Sequence, residues 1–210
     1  MTGSVDGALA TLERFAAWLV GPGVERGLLG PREADRVWPR HLINCALVEP
    51  LIPTTGSICD VGSGAGLPGI VVAALRPTQP VILLEPLLRR STFLTEVVDD
   101  LELAHVTVVR ARAEDYAREK PEHGTVIARA VAPLVRLAGW SLPLVQPGGW
   151  LLAIKGDSAA TELADAAEEL EAMHVAKSDV ITVGEGGSVT HVVRVMRPHD
   201  FTIKPATEER

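Results

Sequence analysis

The stretch that decides the fold runs from Ile58 to Gly69 and reads Ile-Cys-Asp-Val-Gly-Ser-Gly-Ala-Gly-Leu-Pro-Gly. Its apolar beginning is typical of a buried strand. Pro68 is suited to the first turn of a helix, where its missing N–H costs little. The glycines between them allow a tight turn and a close approach of the backbone to a ligand. The stretch therefore predicts a strand, a glycine loop and a helix.

Short apolar segments rich in β-branched residues alternate with helical segments after Gly56, a pattern typical of a parallel sheet. We predict strands over Ser57–Val61, Val81–Glu85, Val106–Arg110, Thr125–Ala128, Gly149–Ile154, Ser178–Val183 and Val189–Met196. We predict helices over Pro68–Leu75, Leu87–Leu101, Pro133–Leu142 and Ala159–His174. The glycine-rich turn from Gly184 to Ser188 predicts a hairpin, so at least one of the seven strands should be antiparallel.

The first 50 residues have a helical pattern. Apolar side chains recur there at spacings of three and four, at Leu9, Leu12, Phe15, Ala16 and Leu19. Gly21-Pro22-Gly23 should end this helix, Pro31 can open a second, and Arg40–Val48 is a third candidate. We divide the chain into a helical extension over residues 1–50, a ligand-binding domain over 51–198 and a polar tail over 199–210.

The composition excludes several classes of protein. The longest apolar run, Ile70–Leu75, is far short of the roughly 18 residues that a membrane helix needs. Met1–Phe15 carries two acidic residues and lacks the basic start of a secretory signal. The two cysteines, Cys45 and Cys59, form no CxxC pair, which excludes a disulfide scaffold and a cysteine zinc site. We expect a cytoplasmic protein without a metal.

The charge is acidic overall but unevenly distributed. The 20 basic and 27 acidic residues give a net charge of −7, which argues against a protein that binds any nucleic acid by charge alone. Four arginines and only two acids lie between Arg26 and Arg40, whereas six acids and no Lys or Arg lie between Asp157 and His174. A local phosphate-binding face therefore stays possible.

Two ligand classes fit the glycine loop. Glu85 ends the second predicted strand, 21 residues after Gly64, where an acid can bind the two hydroxyls of a ribose. Gly64-x-Gly66-x-x-Gly69 formally matches the dinucleotide fingerprint. Asp60 instead favours an adenosyl cofactor, since a carboxylate would repel a pyrophosphate but could pair with the cationic methionyl part of S-adenosylmethionine. A turn without any ligand is the third possibility.

The loop from Asp60 to Gly69 resembles that of class I methyltransferases, and its Gly-Leu-Pro-Gly ending resembles the RsmG (GidB) family of 16S ribosomal RNA guanine-N7 methyltransferases. Further segments from Arg32 to Met196 agree in the same order. They are Arg40-His41-Leu42 with Asn44, Leu83-Leu84-Glu85 with Arg89-Arg90 and Phe93-Leu94, Arg112-Ala113-Glu114, Ala128-Arg129-Ala130, Trp140-Ser141-Leu142-Pro143, and Pro147-Gly148-Gly149 through Ala153-Ile154-Lys155-Gly156. The version Leu83 to Arg90 resembles the actinobacterial branch.

The resemblance implies a Rossmann-like fold: a seven-stranded, mostly parallel sheet with helices on both faces and an N-terminal helical extension. It implies S-adenosylmethionine as cofactor, with contacts carried over to Gly62, Leu67, Ala113, Glu114 and Arg129. The residue chemistry adds Asp60, Gly64 and Glu85. Many family members have Asp-Ser where this chain has Glu85-Pro86, and Lys where it has Arg89. Arginine keeps the charge but changes the geometry.

The resemblance also implies the substrate, 16S rRNA or the small ribosomal subunit. Guanine N7 has a free lone pair and no proton to lose, so we expect neither a nucleophile nor a triad. The candidates for catalytic and RNA-handling roles are Arg129, Lys155, Arg40 and His41. We expect a monomer that binds neither membrane nor DNA. The alternatives are an NAD-dependent oxidoreductase that uses the same glycine loop, or an RNA-binding module without catalysis.

Overall fold

The computed structural model describes residues 5–119, 121–129, 131–175 and 177–199, so most of the proposed polar tail and Ala130 lie outside the described residues. Its centre is a seven-stranded sheet of order β3-β2-β1-β4-β5-β7-β6. The strands are β1 Ile58–Val61, β2 Val81–Leu84, β3 Val106–Val109, β4 His123–Arg129, β5 Val145–Lys155, β6 Lys177–Glu185 and β7 Ser188–Met196. Strands β1 to β5 are parallel, and β7 is antiparallel to both β5 and β6. The seven strands and the antiparallel hairpin confirm the prediction.

Helices connect the strands and precede them. They are α1 Val5–Trp18, α2 Ile43–Ala46, α3 Gly69–Leu75, α4 Leu88–Asp100, α5 Ala113–Tyr116, α6 Leu134–Ser141, α7 Ala159–Asp165 and α8 Ala167–Ala172. Short π-helical turns cover Leu19–Gly23 and Val37–Leu42, and 3₁₀ turns cover Pro31–Arg36, Glu49–Leu51, Ala117–Glu119 and Leu142–Leu144. The predicted helical character of the first 50 residues is confirmed for those that the structure describes. The prediction that Gly21-Pro22-Gly23 ends the first helix is wrong, because these residues lie in the π-helical turn that directly continues α1.

The sheet is buried on both faces. One core cluster joins α1, α3 and α4 to the sheet, and the other joins α6, α7 and α8 to it. Along β1, Ile58 belongs to the first cluster and Cys59 and Val61 to the second, and all four residues of the strand are buried. Burial on both faces explains why the central strands read as continuous apolar runs rather than alternating ones.

The N-terminal segment packs on the same core as the sheet. Phe15 of α1 is fully buried in one cluster with Ile70 of α3 and Phe93 of α4. The Trp18 ring meets the Phe93 ring edge to face, with their centroids 5.7 Å apart. This packing holds the chain that follows α1 beside the carboxyl ends of the strands, where the cavity described below opens.

Two elements differ from the sequence-based prediction. Strand β5 begins at Val145 rather than Gly149, because it continues through Pro147-Gly148-Gly149, with Gly148 at φ +75°. The Gly148 N–H donates to the Arg197 carbonyl, and the Arg197 N–H donates to the Gly149 carbonyl, so the irregular part is still paired. The helix predicted over Ala159–His174 is two helices, broken at the buried Ala166, whose φ and ψ are −92° and 0°.

No helix among the described residues is long and apolar enough to cross a membrane.

Candidate active site

A cavity of about 610 Å³ opens at the carboxyl ends of the parallel strands, the usual ligand position in open α/β sheets. Four successive strand ends contribute to its walls. They supply Gly62–Ala65 after β1, Glu85–Leu87 after β2, Ala111–Glu114 after β3 and Arg129 at the end of β4. Leu28, Leu29 and His41 of the N-terminal segment form the remaining side, together with Val131 and Trp140.

Two buried carboxylates, Asp60 and Glu85, accept hydrogen bonds from backbone N–H groups in and beside the glycine loop. The Asp60 Oδ2 accepts a hydrogen bond of 3.0 Å from the Gly69 N–H, at the start of α3. The Glu85 Oε2 accepts one of 3.0 Å from the Gly64 N–H, and its Oε1 accepts one of 3.0 Å from the Leu87 N–H. Asp60 and Glu85 lie at the ends of the adjacent strands β1 and β2, so both ends of the loop are tied to the sheet.

Two glycines of the loop differ in what surrounds them. Gly62 and Gly64 both have positive φ, +72° and +58°, which L side chains rarely adopt. A Cβ at Gly62 would lie 2.9 Å from a methyl of Val131, whereas a Cβ at Gly64 would meet only the Gly62 carbonyl, at 3.7 Å. The Gly64 backbone therefore faces open space beside the cavity, where a ligand can approach it closely.

Asp60 is the predicted cofactor residue that lies beneath the loop and not on the cavity wall. Its side chain is fully buried, and burial raises its pKa to about 7, against the lowering effect of the Gly69 N–H. A Cβ at Gly69 would lie 2.5 Å from the Asp60 Oδ2, so the contact between loop and carboxylate is already close. The geometry gives Asp60 the role of fixing the loop, and its direct pairing with a cofactor stays a prediction.

Arg129 joins the sheet to the N-terminal segment. Its Nη2 donates to the His41 Nδ1 over 2.6 Å, and its Nη1 donates to the Cys45 Sγ over 3.3 Å. The His41 Nε2 lies 3.0 Å from the Glu33 Oε2, while the exposed Arg40 pairs with the Glu33 Oε1 at 2.8 Å. Burial and the Arg129 charge lower the pKa of His41, and Glu33 opposes them. Arg129 and His41 line the cavity, and Arg40 does not.

Lys155 lies at a second cavity, of about 520 Å³, which meets the first at Val131. Its Nζ lies 2.7 Å from the Glu162 Oε2 and donates to the Ala132 carbonyl, also at 2.7 Å. Burial acts to raise the pKa of Glu162, but hydrogen bonds from Lys155 and Ser158 outweigh it and the pKa is lowered. The pair therefore ties α7 to the loop that follows β4.

The structure thus brings most of the predicted site residues to one place. Gly62, Gly64, Leu67, Glu85, Ala113, Glu114, Arg129 and His41 line the main cavity, whereas Asp60, Arg40 and Lys155 do not. Sequence reasoning missed Leu28, Leu29, Glu33 and Glu162. Only Glu33 had a signal, because it lies among the arginines between Arg26 and Arg40. In the described part of the chain, no three His, Cys, Asp or Glu side chains are grouped as metal ligands would be.

Comparison with known proteins gives consistent matches. The model of the family described as "rRNA small subunit methyltransferase G" matches residues 8–192. A ribosomal RNA small subunit methyltransferase G of Streptomyces avermitilis is 52% identical over 184 residues, which cover 87% of this chain and 77% of that protein. A protein of the same name from Thermobifida fusca is 52% identical over 189 residues, which cover 90% of this chain and 79% of that protein.

Solved structures show the same fold at low sequence identity. The S-adenosylmethionine-dependent methyltransferase SibL, in its apo form, superposes with a TM-score of 0.63 at 17% identity, covering 80% of this chain and 57% of that one. The fold predicted from the sequence is confirmed: it is that of class I methyltransferases.

The titration of Asp60 should be visible in the pH dependence of stability. Its pKa is 3.8 in the unfolded reference and about 7 in the folded protein, so the folded state binds this proton more tightly. The resulting stabilisation is fully present below pH 3.8 and is lost as the pH rises through about 7. Asp60→Asn keeps an oxygen for the Gly69 N–H and removes the titration.

We therefore expect the free energy of unfolding of the wild type, measured in urea, to fall relative to that of Asp60→Asn as the pH rises. Asp99→Asn, at an exposed position of α4, is the control and should follow the wild type. Parallel pH curves for wild type and Asp60→Asn would show that folding does not raise the pKa of Asp60 and would contradict the prediction.

Proposed function

The chain belongs to the rRNA small subunit methyltransferase G family, and from this we propose that it transfers a methyl group from S-adenosylmethionine to N7 of a guanine in 16S ribosomal RNA. The observation that carries the proposal is the family match over residues 8–192, which includes every wall of the main cavity. Neither alternative from the sequence, an NAD-dependent oxidoreductase or an RNA-binding module without catalysis, has support among the relatives.

The main cavity fits the cofactor in size and in chemistry. Its volume of about 610 Å³ is within the range of roughly 300–1,000 Å³ typical of small-molecule sites. The open space beside Gly64 lets the cofactor approach the backbone, and the carboxylates of Glu85 and Glu114 and the Arg129 guanidinium line the wall. These are the partners that hydroxyl groups, an adenine amine and a carboxylate require.

We assign the contacts accordingly. Glu85, at the end of β2, accepts hydrogen bonds from the ribose hydroxyls, and Ala113 and Glu114, after the edge strand β3, hold the adenine. Arg129 pairs with the carboxylate of the methionyl part, and Gly62, Gly64 and Leu67 form the floor. Asp60 acts indirectly, through the Gly69 N–H that fixes the loop.

The chemistry explains why charged side chains in the site serve to position and not to transfer protons. Bound S-adenosylmethionine supplies an electrophilic methyl group on its sulfonium sulfur. Guanine N7 presents a lone pair and has no proton to lose, so the displacement needs no general base. The work left to the protein is to align the two reactants and to exclude water.

We place the RNA at the same edge of the sheet. Arg32, Arg36 and Arg40 are exposed and belong to the N-terminal segment whose Leu28, Leu29 and His41 line the cavity, so phosphate contacts there would bring the RNA toward the cavity. The Lys155 ammonium has three N–H donors, of which Glu162 and the Ala132 carbonyl take two, and we assign the third to guanine O6 or a phosphate. We propose a cytoplasmic monomer that does not act on DNA.

Methyl transfer to small ribosomal subunits tests the proposed function. Subunits from a strain that lacks this enzyme are incubated with the purified protein and labelled S-adenosylmethionine, and naked 16S rRNA is tested in parallel. Borohydride reduction followed by aniline cuts RNA at N7-methylguanine, so a single cleavage in 16S rRNA is expected. Label without this cleavage, or no label on either substrate, would contradict the proposal.

Gly64→Ala should reduce cofactor affinity. Its Cβ would occupy the open space beside the loop, and we expect the Kd for S-adenosylmethionine to rise about tenfold, a cost of ~1.4 kcal/mol. Gly186→Ala is the matched control, since Gly186 has a similar φ of +62° in the exposed β6–β7 hairpin. Both variants should lose about 1–2 kcal/mol of stability through the left-handed backbone. Calorimetric titration measures the Kd of both variants for S-adenosylmethionine. Equal values would show that Gly64 does not contact the cofactor.

Lys155→Met should separate catalysis from cofactor binding. The variant removes the N–H that we assign to guanine O6 or a phosphate, and a misplaced acceptor base can lower the rate on the order of a hundredfold. Lys155 does not line the main cavity. The Kd for S-adenosylmethionine should stay near that of the wild type. Lys177→Met removes an exposed lysine that pairs with Asp179, and serves as control. If Lys155→Met methylates as fast as Lys177→Met, Lys155 has no role in the reaction.

A further inference from the structure

We propose that His41 and Glu33 are positioning residues that hold the Arg129 guanidinium against the cavity, so that the N-terminal segment completes the cofactor site. The inference rests on the proposed function, because it takes Arg129 as a cofactor contact. It adds that the orientation of Arg129 is set by a chain of hydrogen bonds from outside the sheet.

Arg129 takes its orientation from the N-terminal segment. Arg129 ends β4, and its side chain donates hydrogen bonds to His41 and Cys45. Cys45 is fully buried, and burial raises the pKa of its thiol to about 11, even beside Arg129. A neutral thiol is a weak acceptor, so the 2.6 Å bond to the His41 Nδ1 is the stronger of the two.

His41 can accept the hydrogen bond from Arg129 only as a neutral ring of one tautomer. Because its Nδ1 accepts from Arg129, the proton must lie on Nε2, which faces the Glu33 Oε2 at 3.0 Å and donates to it. Glu33 therefore fixes the tautomer and the ring orientation. Each of the three side chains has one defined role: Glu33 accepts, His41 relays the orientation, and Arg129 donates.

The hydrogen bonds between Glu33, His41 and Arg129 belong to the cavity wall and not to the core alone. His41 is 7% exposed, yet both it and Arg129 line the cavity. A guanidinium has five N–H donors, and the bonds to His41 and Cys45 use two, so the others can reach a ligand carboxylate. A histidine that served only packing would have no reason to accept a bond from an arginine of the cavity wall.

Protonation of His41 should break the arrangement. An imidazolium has no acceptor nitrogen, and it would place a second positive charge beside Arg129. Burial first, and then the Arg129 charge, lower the pKa of His41 below its ordinary value of 6.5, with Glu33 opposing and Arg40 adding to the lowering. The His41 ring is thus neutral at pH values above its lowered pKa. Cofactor affinity should fall as the pH drops below that pKa.

Five charged or titratable groups surround the His41 ring and the hydrogen bonds it makes. They are Glu33 and Arg40 from the N-terminal turns, Cys45 of α2, Arg129 of β4 and Asp60 of β1. Asp60 also titrates, with a pKa of about 7, and it interacts with Arg129. The contribution of His41 must therefore be measured as a difference between proteins that share Asp60.

His41→Gln provides that difference. The terminal amide of glutamine carries an acceptor and a donor, which can replace the two ring nitrogens toward Arg129 and Glu33, but it does not titrate. His41→Ala removes both bonds. His105→Gln is the matched control, because the His105 side chain lies against the Ala73 carbonyl in the described structure and does not line the cavity.

The experiment measures the Kd for S-adenosylmethionine by calorimetry from about pH 5 to about pH 8, with thermal melting to check folding at each pH. At the upper end we expect His41→Gln to bind like the wild type and His41→Ala to bind about tenfold more weakly, as the loss of a hydrogen bond to a charged group predicts. At the lower end the wild type and His105→Gln should lose affinity relative to His41→Gln.

Parallel pH profiles for the wild type and His41→Gln would overturn the inference, as would unchanged affinity in a folded His41→Ala. If the wild type bound no S-adenosylmethionine at any pH, the proposed function would fail and the inference with it. Because wild-type binding is measured first, the two failures are distinguishable.

Discussion

The hydrogen bonds from Asp60 and Glu85 to the amides of the glycine loop are the constraint on which the rest of the site depends. Both carboxylates are almost wholly buried, at the ends of neighbouring parallel strands. A buried carboxylate must find donors, and backbone N–H groups of the loop and of the start of α3 supply them. The same bonds leave Gly64 turned to open space, so the floor of the cavity is formed before any ligand arrives.

The other walls are held in the same indirect way. Arg129 depends on His41 and Glu33, and the loop after β4 depends on the pair of Lys155 and Glu162. In both cases a cation at a strand end is held by a carboxylate from another element, through His41 in the case of Arg129. This suits a reaction in which no proton is transferred at guanine N7, because catalysis then depends on how accurately the reactants are aligned.

Sequence reasoning gave the strand pattern and the glycine loop because both are local. The seven strands follow from β-branched segments and turn residues, and the cavity-lining positions from Gly62 to Glu114 follow from spacing along βαβ units and from the family motifs. The break at Ala166 has no signal, since alanines and glutamates surround it. The residues from Val145 to Gly148 were missed because Pro-Gly-Gly is typical of a turn, although here it lies within β5. Glu33 and Glu162 pair with residues seven or eight positions away, across a break between elements, so helical spacing does not predict these contacts.

The central claim is that Asp60 and Glu85 fix the glycine loop in the cofactor-free protein. Amide hydrogen exchange measured by NMR tests it at the Gly69 N–H, which begins α3 and has the Asp60 carboxylate as its acceptor. The account predicts that, without ligand, this amide is protected nearly as well as those of β1. Exchange at the rate of an exposed loop would contradict it, since the loop would then be ordered only by the cofactor.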